Sequence, residues 1–387
     1  MYMVTIPLYI IIVAVLLVLA VVTPLFSPFI YRVKDRQAVN AESQPLSVII
    51  TAHDSAQQLD RVLEGFLSQE YDADYQVVIV IDEGDSSSED ILKKYKDNPH
   101  LYYTKLPTSS RYLSRRKLAI TIGMRAAKYN WCVLTSVHCL PKKDQWLRHF
   151  AKYICDESNL VLGMTPYEKS SPAYYRYDLL RTALYHFNSA QRGMAFSTNQ
   201  PLIAMRKDEF FQRQGFAGNL EYQRAEYEHL VNKFATKERT MIAVAPEARL
   251  VLSKPTKKQW MYRHMHSIDS FRSMKRTIPF RLRYHVDLWA MHIYNLLTIS
   301  AIVYGVWGVV MSRQMSLAHI VILSSAILLW ILSFVIRCAI YAPVLRYFDN
   351  VHPIKAVIFD WFVSWYNLGT RIKYYATDKY DFMTHKL

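Results

Sequence analysis

Long uncharged apolar runs at both ends of the chain enclose a middle in which short apolar stretches alternate with amphipathic ones. From Val4 to Ile30 no residue is charged, and Tyr9 to Val22 is almost wholly aliphatic. About 20 apolar residues cross the hydrocarbon core of a bilayer, so this run predicts a retained membrane anchor. A cleaved signal peptide fits it poorly, because no basic region precedes the run and no small-residue cleavage site follows it. Toward the other end, Val286 to Met311 carries only Asp287, and Leu317 to Ile336 carries no charge. The short link Ser312-Arg313-Gln314-Met315-Ser316 makes these runs a helical hairpin. Pro353 to Leu368 is apolar and aromatic but short, with Lys355 and Asp360 inside it. It reads as an interfacial helix with its aromatics at headgroup level, a fourth span being the alternative.

The middle alternates strand and helix. Leu46 to Thr51, Val77 to Ile81, Leu101 to Thr104 and Cys132 to Thr135 are short apolar runs of the kind buried in a parallel sheet. Between them lie helical patterns at Ala56 to Ser68, near Glu89 to Tyr95, and at Ser114 to Lys128. In the first, Leu59, Val62, Leu63, Phe66 and Leu67 share one face. The expected fold class is α/β, a Rossmann-like, mostly parallel sheet. Ligands of such sheets sit beyond the carboxyl ends of the strands, so the loops after Thr51, Ile81 and Thr135 share one crevice.

Charge adds an orientation and a ligand class. The 387 residues hold 47 Lys and Arg against 32 Asp and Glu, a net charge of +15, and 51% are apolar. That balance suits an anionic membrane surface or a phosphate-bearing ligand. A nucleic-acid partner is not expected, since no basic-aromatic motif accompanies the charge. Arg32, Lys34 and Arg36 follow the first run, Lys275, Arg276, Arg281 and Arg283 precede the second, and Arg337, Arg346 and Lys355 follow the third. By the positive-inside rule these clusters place the segment from Arg32 to Arg283 in the cytoplasm. Cys132, Cys139, Cys155 and Cys338 have no metal or redox spacing, which fits a reducing compartment.

The crevice holds acids at Asp82, Glu83 and Asp85, and a basic run, Arg111, Arg115, Arg116 and Lys117, enters a helix. Helix N-termini and arginines both favour anions, although such a run also reads as a solvated helix start. The segments "PLSVIITAHDSAQQL", "VVIVIDEGDSSSEDIL", "RRKLAITIGMRAAKYNWCVLTSVHCLP" and "GFAGNLEYQRAEYEHLVNKFA" resemble, in order and spacing, those of membrane-bound bacterial family-two glycosyltransferases of the GT-A fold. The resemblance runs from residue 46 to about residue 285. It implies a nucleotide-diphosphate sugar donor bound at Ala52, Asp54, Asp82 and Glu83, with its diphosphate near Arg116, Lys117, Ser136 and His138.

Departures from the family pattern fall on its chemistry. Where the family carries an Asp-X-Asp metal motif, this chain has Thr135-Ser136-Val137-His138-Cys139. Mg²⁺ prefers oxygen ligands, so an imidazole there lowers its affinity. The acceptor-base position falls on Tyr227, whose ordinary pKa near ~10 makes it a poor base, with Glu226 and Glu228 on either side. The C-terminal Gln-X-X-Arg-Trp element is matched only loosely by "KKQWMYRHMHSIDSFR". Three readings of His138 stand open: a ligand for Mn²⁺ or Mg²⁺ together with His264 or His266, a protonated ring facing the diphosphate without metal, or an inert loop residue.

The expected organisation is an anchor at 1–31, a linker at 32–45, a GT-A domain at 46–255, an interfacial segment at 256–284, a transmembrane hairpin at 285–341, and an interfacial helix with a cytoplasmic tail at 342–387. The resemblance implies a multi-pass protein of the bacterial inner membrane with its soluble domain in the cytoplasm. Its partners would be the bilayer, a nucleotide-sugar donor and a lipid-linked or polysaccharide acceptor, in a cell-envelope polysaccharide pathway, with the sugar moved by inverting displacement. The alternative is a catalytically inactive paralogue serving as scaffold or partner subunit in a polysaccharide assembly complex.

Overall fold

A computed structural model describes residues 7–33, 35, 43–107, 114–193, 195–220, 222, 224–274, 278–311 and 316–377. Arg111, Lys34, Arg36, Lys275, Arg276 and Arg313, all singled out above, lie outside the described residues. The chain opens on helix α1 (Leu8–Val22) and continues with β1 (Leu46–Thr51), α2 (Ala56–Leu67), β2 (Tyr75–Asp82), α3 (Ser86–Lys93) and β3 (Leu101–Leu106). Next come α4 (Arg115–Ala126), β4 (Trp131–Ser136), β5 (Cys139–Pro141), α5 (Trp146–Ala151), β6 (Leu160–Gly163), α6 (Ala173–Gln191) and β7 (Leu202–Arg206). After α7 (Lys207–Gln212), α8 (Glu226–Phe234), β8 (Thr240–Ala243), β9 (Leu250–Leu252) and α9 (Lys257–Ser273), the chain ends in three long helices. These are α10 (Ile278–Met311), α11 (Leu317–Tyr347) and α12 (Pro353–Ala376).

Two compact units result, Met1–Arg32 with Thr277–Leu368, and Val33–Arg276 with Gly369–Leu387. In the second unit a seven-stranded sheet runs in the order β3-β2-β1-β4-β7-β6-β8. Strands β3, β2, β1 and β4 are mutually parallel, β7 runs antiparallel between β4 and β6, and β8 returns parallel to β6. Leu46, Val48, Ile49 and Ile50 of β1 are all buried, as a strand covered on both faces requires. Helix α4 packs over β1 and β2 through Gly123, where a Cβ would come within 2.5 Å of Ile49 Cγ2. The mostly parallel α/β fold is as the sequence predicts. Strands β6 to β8 extend it beyond the predicted elements, and β5 and β9 form a separate antiparallel pair.

The register sets the crevice. Thr51 lies level with Val80 and Ser136, so β1 and β4 end together and β2 runs two residues further, to Asp82.

The first unit is helical. Leu8–Phe26, Leu282–Val310 and Leu317–Tyr347 are each long and apolar enough to cross a membrane. Leu16 and Ala20 of α1 pack with Tyr294 and Ala301 of α10 and with Ile322, Ala326 and Leu329 of α11. Helices α10 and α11 approach closely because Gly308 leaves room for His319; a Cβ there would fall 2.0 Å from its ring. Arg337 donates to Thr23 at 3.1 Å, Ser27 donates to Tyr341 at 3.1 Å, and Tyr341 donates to Asp360 at 2.5 Å. The charge that shortens the apolar stretch of α12 is thereby sealed inside this helical unit, with Asp360 8% exposed.

Candidate active site

The loop after β1 turns back on itself. Ala52 is buried and its N–H donates to the Val80 carbonyl at 2.9 Å, which fastens the end of β1 to β2. Asp54 adopts φ +46, a left-handed conformation uncommon for a side-chain-bearing residue, and its carboxylate is half exposed. Between them, His53 Nδ1 meets the Asp82 carboxylate. Asp82 ends β2 and receives a second hydrogen bond, at 2.5 Å, from Arg115 at the start of α4. Burial opposes the charge on Asp82, but the bonds from His53 and Arg115 prevail and hold its carboxyl below the usual range.

Beyond Asp82 the chain reverses at Gly84, whose φ of +89 suits a residue without Cβ. Glu83 is exposed there, and Asp85 caps α3, accepting from the Ser88 N–H at 3.1 Å. Asp85 is thus a helix cap, which separates it from the acids facing the crevice.

The turn after β4 carries Ser136 and His138. The His138 N–H donates to Ser136 Oγ at 3.3 Å, and both N–H and hydroxyl of Ser253 donate to the His138 carbonyl, at 2.9 and 3.0 Å. Burial, with Arg116 and Arg263 nearby, pushes the His138 imidazole down to about 4. With no anion beside it, the ring is driven toward its neutral form.

Lys117 lies one helical step from Arg116 but does other work. It is 1% exposed. Its ammonium donates to the Asn219 carbonyl at 2.7 Å, and also to Asn219 Oδ1 and the Tyr222 carbonyl. Burial lowers it to about 8 against the pull of Glu226 and Glu228. It pins the segment that leads into α8.

At Ala225, φ is +72, and α8 begins directly after it with Glu226 and Glu228 in its first turn. Acids in a first turn are favoured by the helix dipole. Glu226 is 4% exposed, and its Oε1 has no hydrogen-bond partner among the described residues. Burial and then the charge of Glu226 raise Glu228 to about 7. Tyr227 is pushed well above its ordinary range by burial, so it stays protonated and is unsuited to act as a base.

The three-histidine metal set does not assemble. His264 donates or accepts through both ring nitrogens, with Asp178 at 2.8 Å and the Trp260 carbonyl at 2.9 Å. Burial works against its charge, yet Asp178 raises its pKa. His266 is driven down to about 3 by burial and by Arg224 and Arg116. Among the described residues, no group of three or more His, Cys, Asp or Glu stands where it could hold a metal. A donor set of one hydroxyl and one imidazole, without a carboxylate, suits Mg²⁺ poorly, since that ion prefers oxygen ligands.

His53, Arg115, Arg224, Arg263 and Asp178 belong to this region and were not among the site residues expected from the sequence. Arg115 was visible as part of the basic run. Arg263 had a weaker signal, standing three residues before His266 on one face of α9.

The geometry can be set beside known proteins. The Glycosyl transferase family 2 model matches residues 47–213. No curated protein sequence matches significantly. Among solved structures, the mannosyltransferase PcManGT from Pyrobaculum calidifontis, in complex with GDP-Man and Mn²⁺, is similar with a TM-score of 0.51 and 17% identity, over 93% of this chain and 99% of that one. TarS 1–349 from S. aureus aligns with a TM-score of 0.42 and 14% identity, over 86% of this chain and 89% of that one. Residues 47–213 are thus similar to family 2 glycosyltransferases, and the chain joins a GT-A-like fold to helices long and apolar enough to span a membrane.

Proposed function

We propose that this protein transfers a sugar from a nucleotide-diphosphate donor to a membrane-associated saccharide or lipid-linked acceptor, by a single inverting displacement. The observation that carries this reading is the carboxylate pair of buried Glu226 and partly buried Glu228, opening α8 within electrostatic reach of Lys117 and Arg263. A general base works best with a pKa near the operating pH, and Glu228 at about 7 meets that condition. The acceptor hydroxyl gives its proton to this pair as its oxygen attacks the anomeric carbon. The nucleoside diphosphate leaves on the opposite side of the sugar, where Arg116 and the β4 turn receive its charge. Asp82, held ionised by His53 and Arg115, accepts hydrogen bonds from the donor's nucleoside. Joining this domain to span-competent helices in one chain favours an acceptor that is itself held at a bilayer, on the cytoplasmic side by the positive-inside rule.

The test is turnover. Full-length protein in lipid nanodiscs, offered a panel of sugar nucleotides, should release nucleoside diphosphate from at least one of them. Glu226→Gln with Glu228→Gln should lower that rate by at least a hundredfold while donor binding persists. Absence of both turnover and binding across the panel would favour the scaffold reading instead.

A further inference from the structure

Granted the donor reading above, we infer that Arg263 of α9 is a positioning residue for the donor's diphosphate, holding the turn after β4 in shape from both of its flanks. Val137 and His138 form that turn, between the last residue of β4 and the first of β5. A turn that presents itself to a charged group in one geometry needs support on each side. Here both supports lead to one guanidinium.

The first support leaves from the β5 side. Cys139 stands opposite Leu252 of β9, and Ser253, the next residue, donates to the His138 carbonyl through both its N–H and its hydroxyl. Leu252 is bonded in turn to the segment before α6. Its N–H donates to the Pro166 carbonyl at 2.9 Å, and its carbonyl accepts from the Glu168 N–H at 2.9 Å. Tyr167, between those two residues, is buried, and its hydroxyl accepts from Arg263 Nη1 at 2.8 Å.

The second support leaves from β4 itself. The Thr135 hydroxyl donates to the Pro201 carbonyl at 3.0 Å. Gln200, the residue before Pro201, is buried; its side chain donates to Asn199 Oδ1 at 2.8 Å and accepts from the Thr165 N–H at 2.7 Å. The Asn199 carbonyl accepts from Arg263 Nη2 at 3.1 Å. Two nitrogens of one planar fork thereby close a ring of hydrogen bonds and chain segments around the β4 turn, which a single ammonium on a flexible stem would not do. The fork is aimed from both ends: His264, next on α9, bonds Asp178 of α6 at 2.8 Å, and the Asn199 side chain donates to the Leu179 carbonyl at 3.0 Å. Both bonds from Arg263 end on neutral oxygens, so its effect on an anion passes through the turn.

The experiment is calorimetry on the full-length protein in detergent, with Mn²⁺ in the buffer and with GDP, UDP, ADP, CDP and the matching monophosphates as probes. At least one diphosphate should bind the wild type more tightly than its monophosphate. Arg263→Gln should lower that preference by about tenfold or more, as two bonds from a charged donor are lost, and leave the monophosphate Kd nearly unchanged. Arg263→Lys, which keeps the charge without the fork, should lose as much. Ser253→Ala removes no charge and lies across the ring from Arg263, yet should lower the preference by about threefold or more. Should Arg263→Gln fail to fold, Tyr167→Phe, which takes away only a hydroxyl, repeats its arm. A preference that is absent in the wild type, unchanged in these variants, restored by Arg263→Lys, or lost together with monophosphate binding overturns the positioning role and leaves the transferase reading intact. Wild-type protein that binds none of the probes overturns the two together.

Discussion

Replacing Lys117 with Met removes an ammonium group while keeping most of the apolar stem that fills its site. Three acceptors, the carbonyls of Asn219 and Tyr222 and the Asn219 side-chain oxygen, lose their charged donor. A buried acceptor left unsatisfied costs about 1–3 kcal/mol. Against this, keeping the ammonium charged in the fold already carries a penalty. The fall from 10.5 to about 8 corresponds to roughly 3 kcal/mol at neutral pH, at 1.36 kcal/mol per unit. The two effects partly offset, so the pH dependence is more informative than the stability at any single pH. Between pH 8 and 10.5 the unfolded chain keeps the Lys117 proton while the folded chain releases it. The unfolded state then binds more protons, so this group makes wild-type stability rise with pH across that window, by up to roughly 3 kcal/mol. Lys117→Met lacks the contribution, and other titrations cancel in the difference between the two proteins. Unfolding of the full-length protein in detergent, followed by tryptophan fluorescence from pH 7 to 10.5, measures that difference. A wild-type minus variant stability that stays flat across the window refutes the buried ammonium. The same variant frees the segment before α8, and turnover should fall on the order of a hundredfold, the usual consequence of an ångström-scale displacement.

Other expectations are shorter to state. Asp82→Ala should weaken nucleoside diphosphate binding by about tenfold or more, as loss of a hydrogen bond to a charged group costs about 1.5–3 kcal/mol; an unchanged Kd removes Asp82 from the donor site. Turnover should rise with pH and level off above about 7 as Glu228 loses its proton, and Glu228→Gln should abolish that rise; a rate independent of pH from 5 to 8 excludes this carboxyl as the base. Gly123→Ala should destabilise by about 1–3 kcal/mol despite alanine's better helix propensity, because the new methyl group meets Ile49; a raised melting temperature would show that the α4 contact is looser than described. For topology, with Cys155 and Cys338 changed to Ser, an impermeant maleimide added to intact cells should label Gln314→Cys and spare Glu238→Cys. The opposite pattern would invert the orientation.

The fold was legible where single segments carry it. Leu46 to Thr51 is a short, mostly apolar run between a proline and a polar turn, and it pairs in parallel with β2 and β4. Strands β6 and β8 are four residues each, too short for periodicity to separate strand from helix. The same contrast holds at the site. Asp82, Glu226 and Glu228 stand in recognisable segments, and the fold brings them to one end of the sheet. The histidine metal set failed because spacing along α9 says nothing of what faces it from elsewhere. Asp178, on α6, occupies His264, and Arg116 and Arg224 surround His266. The ring of hydrogen bonds that closes at Arg263, gathered from β4, β9 and the segments before α6 and β7, leaves no local trace in the chain.

The most direct test of the whole account is a structure of the protein with a hydrolysis-resistant sugar nucleotide found to bind it. The account predicts the nucleoside against Asp82, the diphosphate over the turn at Ser136 and His138 within reach of Arg116, and the anomeric carbon facing Glu226 and Glu228. A donor seated away from the ends of β1, β2 and β4 would contradict it.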